Sequence, residues 1–367
     1  MMKPEPKLMH MPTHIKQKIT DSARNVGTKL AISQMSKGFL SLAKDSPSTL
    51  EKVTVKIFMD KLAVTLNARF FKPVPDCFKR WEYDNSDRKK LVMEFSAHEE
   101  GVLMRNTESD WQKTLSERDY RKAAVQYVLG IMGPKTTIEK FVLEVDDTLF
   151  KADHPRDPES RHFSALYPKK KFKEDRKVIL DEFESSLRKC IHQLLVEEII
   201  LCIEMTEPQM LQLILYLEPA TLRFIDLFHC CPRTFAFDKP ILNLEQLSET
   251  EQWKKTKTVR MTSYVYESPL NKFTHLERIF FCWKRPQLSM KAMIELFLSR
   301  STFELWSISS EERFEQAGVK DYLTEFEPKR LESEKEGHME VEMFLPNEPK
   351  TTIKMFLTPL QILLRRS

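Results

Sequence analysis

The segment FTHLERIFFCWKRPQLSMKAMIELFLSRSTFELWSI, residues 273–308, is the most informative part of the chain about its fold. Two copies of an apolar-x-x-apolar-x-apolar motif flank a stretch whose apolar residues recur every three or four positions. Alternation is typical of a strand with one buried face, and the longer period is typical of an amphipathic helix. The segment therefore predicts a strand, a helix and a second strand. The predicted core positions are Leu276, Ile279 and Phe281, then Met290, Met293, Ile294, Phe297 and Leu298, then Phe303, Trp306 and Ile308.

The same six-residue motif recurs along the chain. In the second half it starts at residues 196, 222, 276 and 303, with a weaker copy at 256 whose first position is polar. Two further copies start at residues 50 and 138. A strand followed by a helix, repeated roughly every 20–30 residues, is the leucine-rich-repeat arrangement. Such units stack because none of them can bury its apolar face alone.

We therefore predict an α/β fold, an irregular leucine-rich-repeat-like stack of strand–helix units. The Asn or Cys that regular repeats place eight positions after the first apolar residue occurs only as Cys230, so a generic α/β sandwich is the alternative. Stacked strands leave one sheet face as a broad recognition surface. In this register, the predicted target-binding face contains Asp226, Arg260 and Phe280.

The remaining segments differ in period and composition. Residues 10–46 predict two helices, and alternation from Val53 to Leu66 predicts a hairpin that opens a β-meander region with one helix over 50–150. The charged, proline-containing stretch 151–176 is interpreted as a linker. The strand–helix repeats occupy 177–325, and 326–367 is interpreted as a C-terminal tail with short strands near Val341–Leu345 and Ile353–Leu357.

Composition and motifs argue against enzymatic chemistry. Seven glycines in 367 residues disfavour folds with glycine-rich phosphate loops. The chain has no G-x-G-x-x-G, no G-x-x-x-x-G-K-[ST], no H-E-x-x-H and no G-x-S-x-G motif. We therefore predict that the protein is not an enzyme and has no catalytic residues, no metal site and no cofactor.

Charge and cysteine usage bear on the compartment and on partners. The six cysteines lack C-x-x-C spacing, no apolar run reaches bilayer length, and the first residues contain no apolar segment. These features predict a cytoplasmic and/or nuclear protein without a membrane partner. A net charge of +4 argues against nucleic-acid binding. The lysine cluster 169–173 favours a solvated linker, with a nuclear localisation signal or a phosphate-contacting patch as the alternatives.

Three stretches resemble a known family. They are LYLEPATLRFIDL (215–227), LEQLSETEQWKKTKTVRM (244–261) and the segment 273–308 quoted above. In order and spacing they are similar to the FTH domain, the F-box-associated domain of nematode proteins. This resemblance assigns the predicted domain 177–325 to the FTH family, and it implies a module that binds another protein.

The N-terminal segments MPTHIKQKIT (11–20) and AISQMSKGFLSLAKD (31–45) resemble a divergent F-box. The resemblance implies binding to the adaptor protein of an SCF-type ubiquitin ligase, and to a cullin through that adaptor. A plain helical hairpin is the alternative, because the loop between the helices and the Lys37-Gly38-Phe39 stretch depart from the F-box pattern. The implied adaptor-binding residues are Pro12, Ile15, Ile19, Ile32, Met35 and Phe39.

Together these features predict a protein–protein interaction subunit. The leading hypothesis is a substrate-recognition component of an SCF-type ubiquitin ligase complex, whose FTH domain binds an unknown target protein. The alternative is a non-catalytic scaffold that holds an RNA-binding or regulatory protein through the FTH domain, without adaptor binding.

Overall fold

A computed structural model gives the fold of the chain as two compact units. The first unit comprises residues 1–200 and 212–221, and the second comprises 201–211 and 222–367. The structure describes residues 48–58, 61–67, 90–107, 112–145, 169–190, 192–202, 207–227, 241–242, 244–265, 270–283, 288–300, 302–335, 338–345 and 348–367.

The first unit is a mixed β-sheet with helices packed on it. Its elements, in chain order, are β1 (Ser48–Ile57), β2 (Lys61–Asn67), β3 (Lys90–His98), β4 (Gly101–Asn106), β5 (Gln112–Leu115), α1 (Tyr120–Ile131), β6 (Thr136–Val145) and α2 (Lys169–Leu187). Strands β1 to β5 pair antiparallel in sequence order, and β6 runs parallel to β1 on its other side. The hairpin predicted from Val53 to Leu66 and the single helix predicted within 50–150 are therefore confirmed.

The repeated motif aligns across β1 and β6. Val53 lies opposite Phe141 and Val55 opposite Leu143 in the parallel register, and all four side chains are buried. Because alternate strand residues point to the same face, matching motifs place their apolar side chains in one layer. Helix α1 covers β2, β3 and β4 and also contacts α2.

Aromatic contacts connect these helices to the sheet. Phe183 of α2 meets Phe141 edge to face, with ring centroids 6.2 Å apart. Tyr127 of α1 packs on Phe95 with ring centroids 5.4 Å apart, and burial raises the pKa of Tyr127 to about 12. Tyr127 is therefore neutral across the physiological range.

An ion triad lies on the sheet face opposite this core. The carboxylate of Glu94 on β3 accepts hydrogen bonds from Lys61 Nζ and Arg105 Nε, each at 2.7 Å, and Glu94 is 9 % exposed. Burial by itself raises the pKa of Glu94. The hydrogen bonds and positive charges of Lys61 and Arg105 outweigh burial, so the pKa lies below its ordinary value of 4.5.

This triad predicts a pH-dependent stability. A carboxylate whose folded-state pKa is depressed stabilises the fold above its unfolded-state pKa, and this contribution disappears as the pH falls through the folded-state value. We expect Glu94→Gln to lower the free energy of unfolding at pH 7 by about 1.5–3 kcal/mol. The difference from wild type should shrink below pH 4.5, as urea unfolding at a series of pH values would measure. Glu99→Gln, in the exposed β3–β4 turn, is the control, and an E94Q deficit that stays constant with pH would contradict the prediction.

Two elements follow where the chain passes between the units, β7 (Leu195–Cys202) and α3 (Glu207–Leu215). Leu194 lies in a parallel bridge with Leu217, and its amide donates to the Tyr216 carbonyl at 2.8 Å. A cavity of about 10 Å³ lies among apolar side chains that include Phe141, Phe183 and Leu213. It has room for no more than one water-sized molecule and offers that molecule no polar partner.

The second unit is a mixed sheet with helices on one face. Its elements are β8 (Phe224–Leu227), β9 (Ile241–Leu242), α4 (Glu245–Ser248), α5 (Glu251–Lys255), β10 (Thr258–Val265), β11 (Arg278–Trp283), α6 (Met290–Leu298), β12 (Leu305–Ser310), α7 (Val319–Thr324), β13 (Arg330–Lys335), β14 (His338–Leu345), β15 (Glu348–Thr358) and β16 (Gln361–Arg366). Strands β8, β10, β11 and β12 are parallel neighbours in that order. Beyond β12 the order is β16, β15, β14 and β13, and every pairing is antiparallel.

The parallel strands carry the repeated motif in register. Ile225, Val259, Ile279 and Trp306 are neighbours along one line across the strands, and none of them is exposed. Helix α5 packs Trp253 against Phe273, and α6 packs Phe297 against Trp306. Trp253 Nε1 donates to the Lys272 carbonyl at 2.9 Å, which connects α5 to the 3-10 turn that precedes β11.

Helix ends in this unit follow from the sequence. The Thr250 hydroxyl accepts from the Trp253 amide at 3.2 Å and caps α5, and the Ser289 hydroxyl accepts from the Ala292 amide at 3.3 Å and caps α6. His275 Nε2 donates to the Trp253 carbonyl at 2.8 Å. Burial lowers the pKa of His275, so its neutral ring holds the C-terminal end of α5 near β11.

The mixed α/β prediction is confirmed, and three details differ from it. Between β10 and β11 the described residues form a 3-10 turn (Leu270–Phe273) where the repeat predicts a full helix. Helix α2 begins at Lys169, so the predicted linker 151–176 overlaps a helix at its end, because the amphipathic period extends back into the lysine-rich stretch. The predicted short strands of the tail are the longer β14 and β15, since each is paired on both sides.

Candidate protein-binding face

One face of the second unit's sheet carries no helix in the described residues. Helices α5, α6 and α7 bury their apolar side chains, among them Trp253, Phe297 and Leu323, on the core side. The alternate residues of β10, β11, β12, β16 and β15 point the other way and are exposed or half-exposed. We call this surface the open face.

An apolar row crosses the centre of the open face. Phe280, Ser307, Leu363 and Phe356 are direct neighbours on β11, β12, β16 and β15. Neighbouring strands lie about 4.8 Å apart, so the row is about 14 Å long. Phe356 is 42 % exposed, which is high for a phenylalanine in a strand that is paired on both sides. The row therefore offers apolar area that a partner can bury.

A basic row runs beside the apolar row. Arg278, Leu305, Arg365 and Lys354 are direct neighbours on the same four strands, and the three basic residues are exposed. The rows are two residues apart along each strand, or about 7 Å. Arg278 Nε lies 2.7 Å from Glu304 Oε2, and Lys354 Nζ lies 3.9 Å from Glu342 Oε2. Exposed pairs of this kind stabilise a fold by about 1 kcal/mol or less.

The structure brings the predicted target-binding residues together. Arg260 on β10 lies opposite Asp226 on β8 on one side and Phe280 on β11 on the other. The Asp226 side chain is only 7 % exposed and its Oδ2 lies 3.7 Å from Arg260 Nε, whose side chain is 47 % exposed. Arg260 and Phe280 are thus accessible to a partner. Asp226 is covered, and it acts on the face by orienting Arg260.

The predicted adaptor-binding residues lie outside the described residues. This holds for all six positions, namely Pro12, Ile15, Ile19, Ile32, Met35 and Phe39. Their assignment stays a prediction.

Sequence reasoning missed the half of the open face that comes from the C-terminal strands. Leu363, Phe356, Arg365 and Lys354 lie in segments that alternate between apolar and other residues, which is a detectable strand signal. Strand β16 pairs with β12, which is far from it in sequence, and no local pattern predicts such a pairing.

The open face can bind but has few groups suited to catalysis. It combines aromatic, aliphatic and arginine side chains, the residue types that dominate the energetics of protein interfaces. Among the described helices, none combines the length and the apolar composition that crossing a bilayer requires.

Within the described residues, the open face combines an apolar row and a basic row, a composition suited to protein recognition. Residues 177–329 match the family model of the FTH domain. This match agrees with the resemblance over 177–325, and the FTH family suggests a protein-interaction role. No curated protein and no solved structure matches the chain. The match contains β8 to β12, and the open face continues beyond it onto β16 and β15.

Proposed function

We propose that the chain is a non-catalytic substrate-recognition subunit of an SCF-type ubiquitin ligase. The open face of the FTH-domain unit binds the target protein, and the F-box-like segment 10–46 binds the adaptor, which brings the cullin. The protein then works in the cytoplasm, the nucleus or both. The observation that carries the target-binding part is the exposed apolar row across parallel and antiparallel strands of one sheet.

Rigid support of the face favours this function. Phe297, Phe303 and Trp306 pack within 4.3–6.0 Å of one another on the core side of β12, directly behind the open face. A surface held by such a core loses little conformational entropy on binding. In this proposal β8, β10, β11 and β12 form a leucine-rich-repeat-like stack. The six-residue apolar motifs of these strands lie in register with one another.

Adaptor binding is tested by co-purification of the full-length chain with the SCF adaptor protein and the cullin. We expect wild type to retain both, and Ile15→Asp with Phe39→Asp to lose both, because a charge in an apolar helical stripe prevents docking in a groove. The face variant Phe280→Ser with Phe356→Ser is the matched control and should retain the adaptor. Failure of wild type to bind the adaptor would reject the ligase assignment.

The scaffold function is the second candidate, and one observation favours it. The apolar and basic rows lie on β11, β12, β16 and β15 of the second unit, so a partner bound there is held by the FTH-domain unit itself. Co-purification of an RNA-binding or regulatory protein that is lost in the face variant, together with no adaptor and no cullin in wild type, would select this function over the ligase function.

A further inference from the structure

We propose that the open face binds an acidic amphipathic helix of its partner protein, with apolar side chains on the apolar row and carboxylates on the basic row. This inference rests on the proposed function and deepens it, since it names the chemistry of the target segment.

The distribution of charge across the face carries the first step. On the four central strands the outward basic residues are Arg278, Arg365 and Lys354. Arg278 pairs with Glu304 at 2.7 Å, and Lys354 lies 3.9 Å from Glu342 on β14. A partner that covers the centre therefore meets Arg365 between two basic residues, each of which already has one carboxylate beside it.

Two like charges lie side by side in this centre. Arg365 on β16 and Lys354 on β15 are direct cross-strand partners, and both side chains are exposed. Like charges directly opposite each other on antiparallel strands destabilise the pair. Glu342 on β14 lies 3.9 Å from Lys354 Nζ and offsets part of this repulsion. A partner carboxylate placed beside Arg365 offsets more of it and forms a charge-assisted hydrogen bond.

The dimensions of the two rows fit a helix. The apolar row spans about 14 Å, which corresponds to about ten residues of helix at 1.5 Å per residue. Apolar residues at i, i+3, i+4 and i+7 form a stripe of this length, and the adjoining helical positions reach the basic row about 7 Å away. A helix already packs on the other side of the same sheet in this way: Phe297 of α6 lies against Trp306 of β12.

A second copy of the chain fits the face less well. Two open faces brought together by a two-fold axis place basic centre against basic centre. Nucleic acid gains from the basic row but leaves Leu363 and Phe356 without apolar partners. The acidic helix alone satisfies both rows.

The test is a selection of random 16-residue peptides, displayed on phage, against the full-length wild-type chain. We expect the enriched peptides to combine Asp or Glu with apolar residues at helical spacing. For a synthetic peptide from the enriched pool, we expect Arg278→Gln with Arg365→Gln to raise the Kd at least tenfold. Lys255→Gln with Lys320→Gln, which removes the same charge from exposed helix positions, should leave the Kd within twofold.

A second pair of variants tests the apolar row. Phe356→Ser should raise the Kd at least fivefold, whereas Leu360→Ser, at the neighbouring turn and 46 % exposed against 42 % for Phe356, should not change it. Enriched peptides that are neutral or basic, or that bind the R278Q/R365Q variant as well as wild type, overturn the inference. Self-association or RNA binding that depends on the same arginines, without acidic peptides, also overturns it.

These outcomes are separable from those of the proposed function. Adaptor co-purification does not involve the open face, so its failure removes the ligase assignment and leaves the peptide result standing. Face-dependent peptides without acidic residues remove only the inference, since the face then still binds protein. A face that selects no peptide at all removes the inference and the target-binding part of the proposed function together.

Discussion

Trp306→Ala should lower the free energy of unfolding of the second unit by about 3–5 kcal/mol, the range for removing a large aromatic side chain from a packed core. Trp306 is fully buried on β12, and its ring lies 4.3 Å from that of Phe303 and 6.0 Å from that of Phe297. The loss removes the aromatic contacts that support β12 behind the open face. Urea unfolding monitored by circular dichroism measures the effect.

Two tryptophan-to-phenylalanine variants give a matched control. The Trp253 indole N–H donates to the Lys272 carbonyl at 2.9 Å, whereas within the described residues the buried Trp306 indole N–H has no acceptor. Both side chains are fully buried, so the free-energy cost of the cavity left by the smaller phenylalanine ring is similar at the two positions. We expect Trp253→Phe to cost about 1 kcal/mol more than Trp306→Phe, the net contribution of one hydrogen bond. Equal costs would contradict this account of the core.

Gly101→Ala should destabilise the first unit by about 3 kcal/mol or more, because strained backbone alone costs about 1–3 kcal/mol. Gly101 begins β4 with φ at +144°, a conformation that residues with a Cβ rarely adopt. An added Cβ would also collide with the Leu115 carbonyl oxygen on β5 and lie 3.1 Å from that of Glu117. Thermal unfolding and urea titration of the variant measure the loss.

Gly130→Ala is the matched control for this substitution. Gly130 lies in the last turn of α1, and an added Cβ meets nothing within 4 Å. Alanine is favoured over glycine in a helix by about 0.5–1 kcal/mol, so this variant should be slightly more stable than wild type. A G101A variant as stable as wild type would show that the β3–β4 turn is not constrained as described.

Local periodicity predicted much of the fold. The positions of the six-residue motif that starts at 303, Phe303, Trp306 and Ile308, are buried without exception. The hairpin of β1 and β2 and helix α1 also agree with the alternation and the helical period of their sequences. These features were predictable because a side chain's direction depends on its position within its own strand or helix.

The candidate site was predictable only in part. Arg260 and Phe280 were assigned to the outward face because the parallel strands that carry them are consecutive copies of one motif. Asp226 was assigned to the same row, but burial depends on what surrounds a residue, and its carboxylate is covered. Leu363 and Phe356 were missed because their row forms through non-local pairings: β16 pairs with β12, where Leu363 lies opposite Ser307, and β15 then pairs with β16.

Local sequence accounts for the apolar spacing of the strands and helices, for the capping hydroxyls of Thr250 and Ser289, and for the match of residues 177–329 to the FTH-domain model. Long-range packing, in contrast, makes β16 and β15 continue the sheet antiparallel beyond the parallel strands and places Arg365 beside Lys354. The two kinds of feature differ in how far apart along the chain the interacting residues lie. Periodicity and capping are interactions between residues a few positions apart, whereas strand order and register depend on which distant segments bury their apolar faces together.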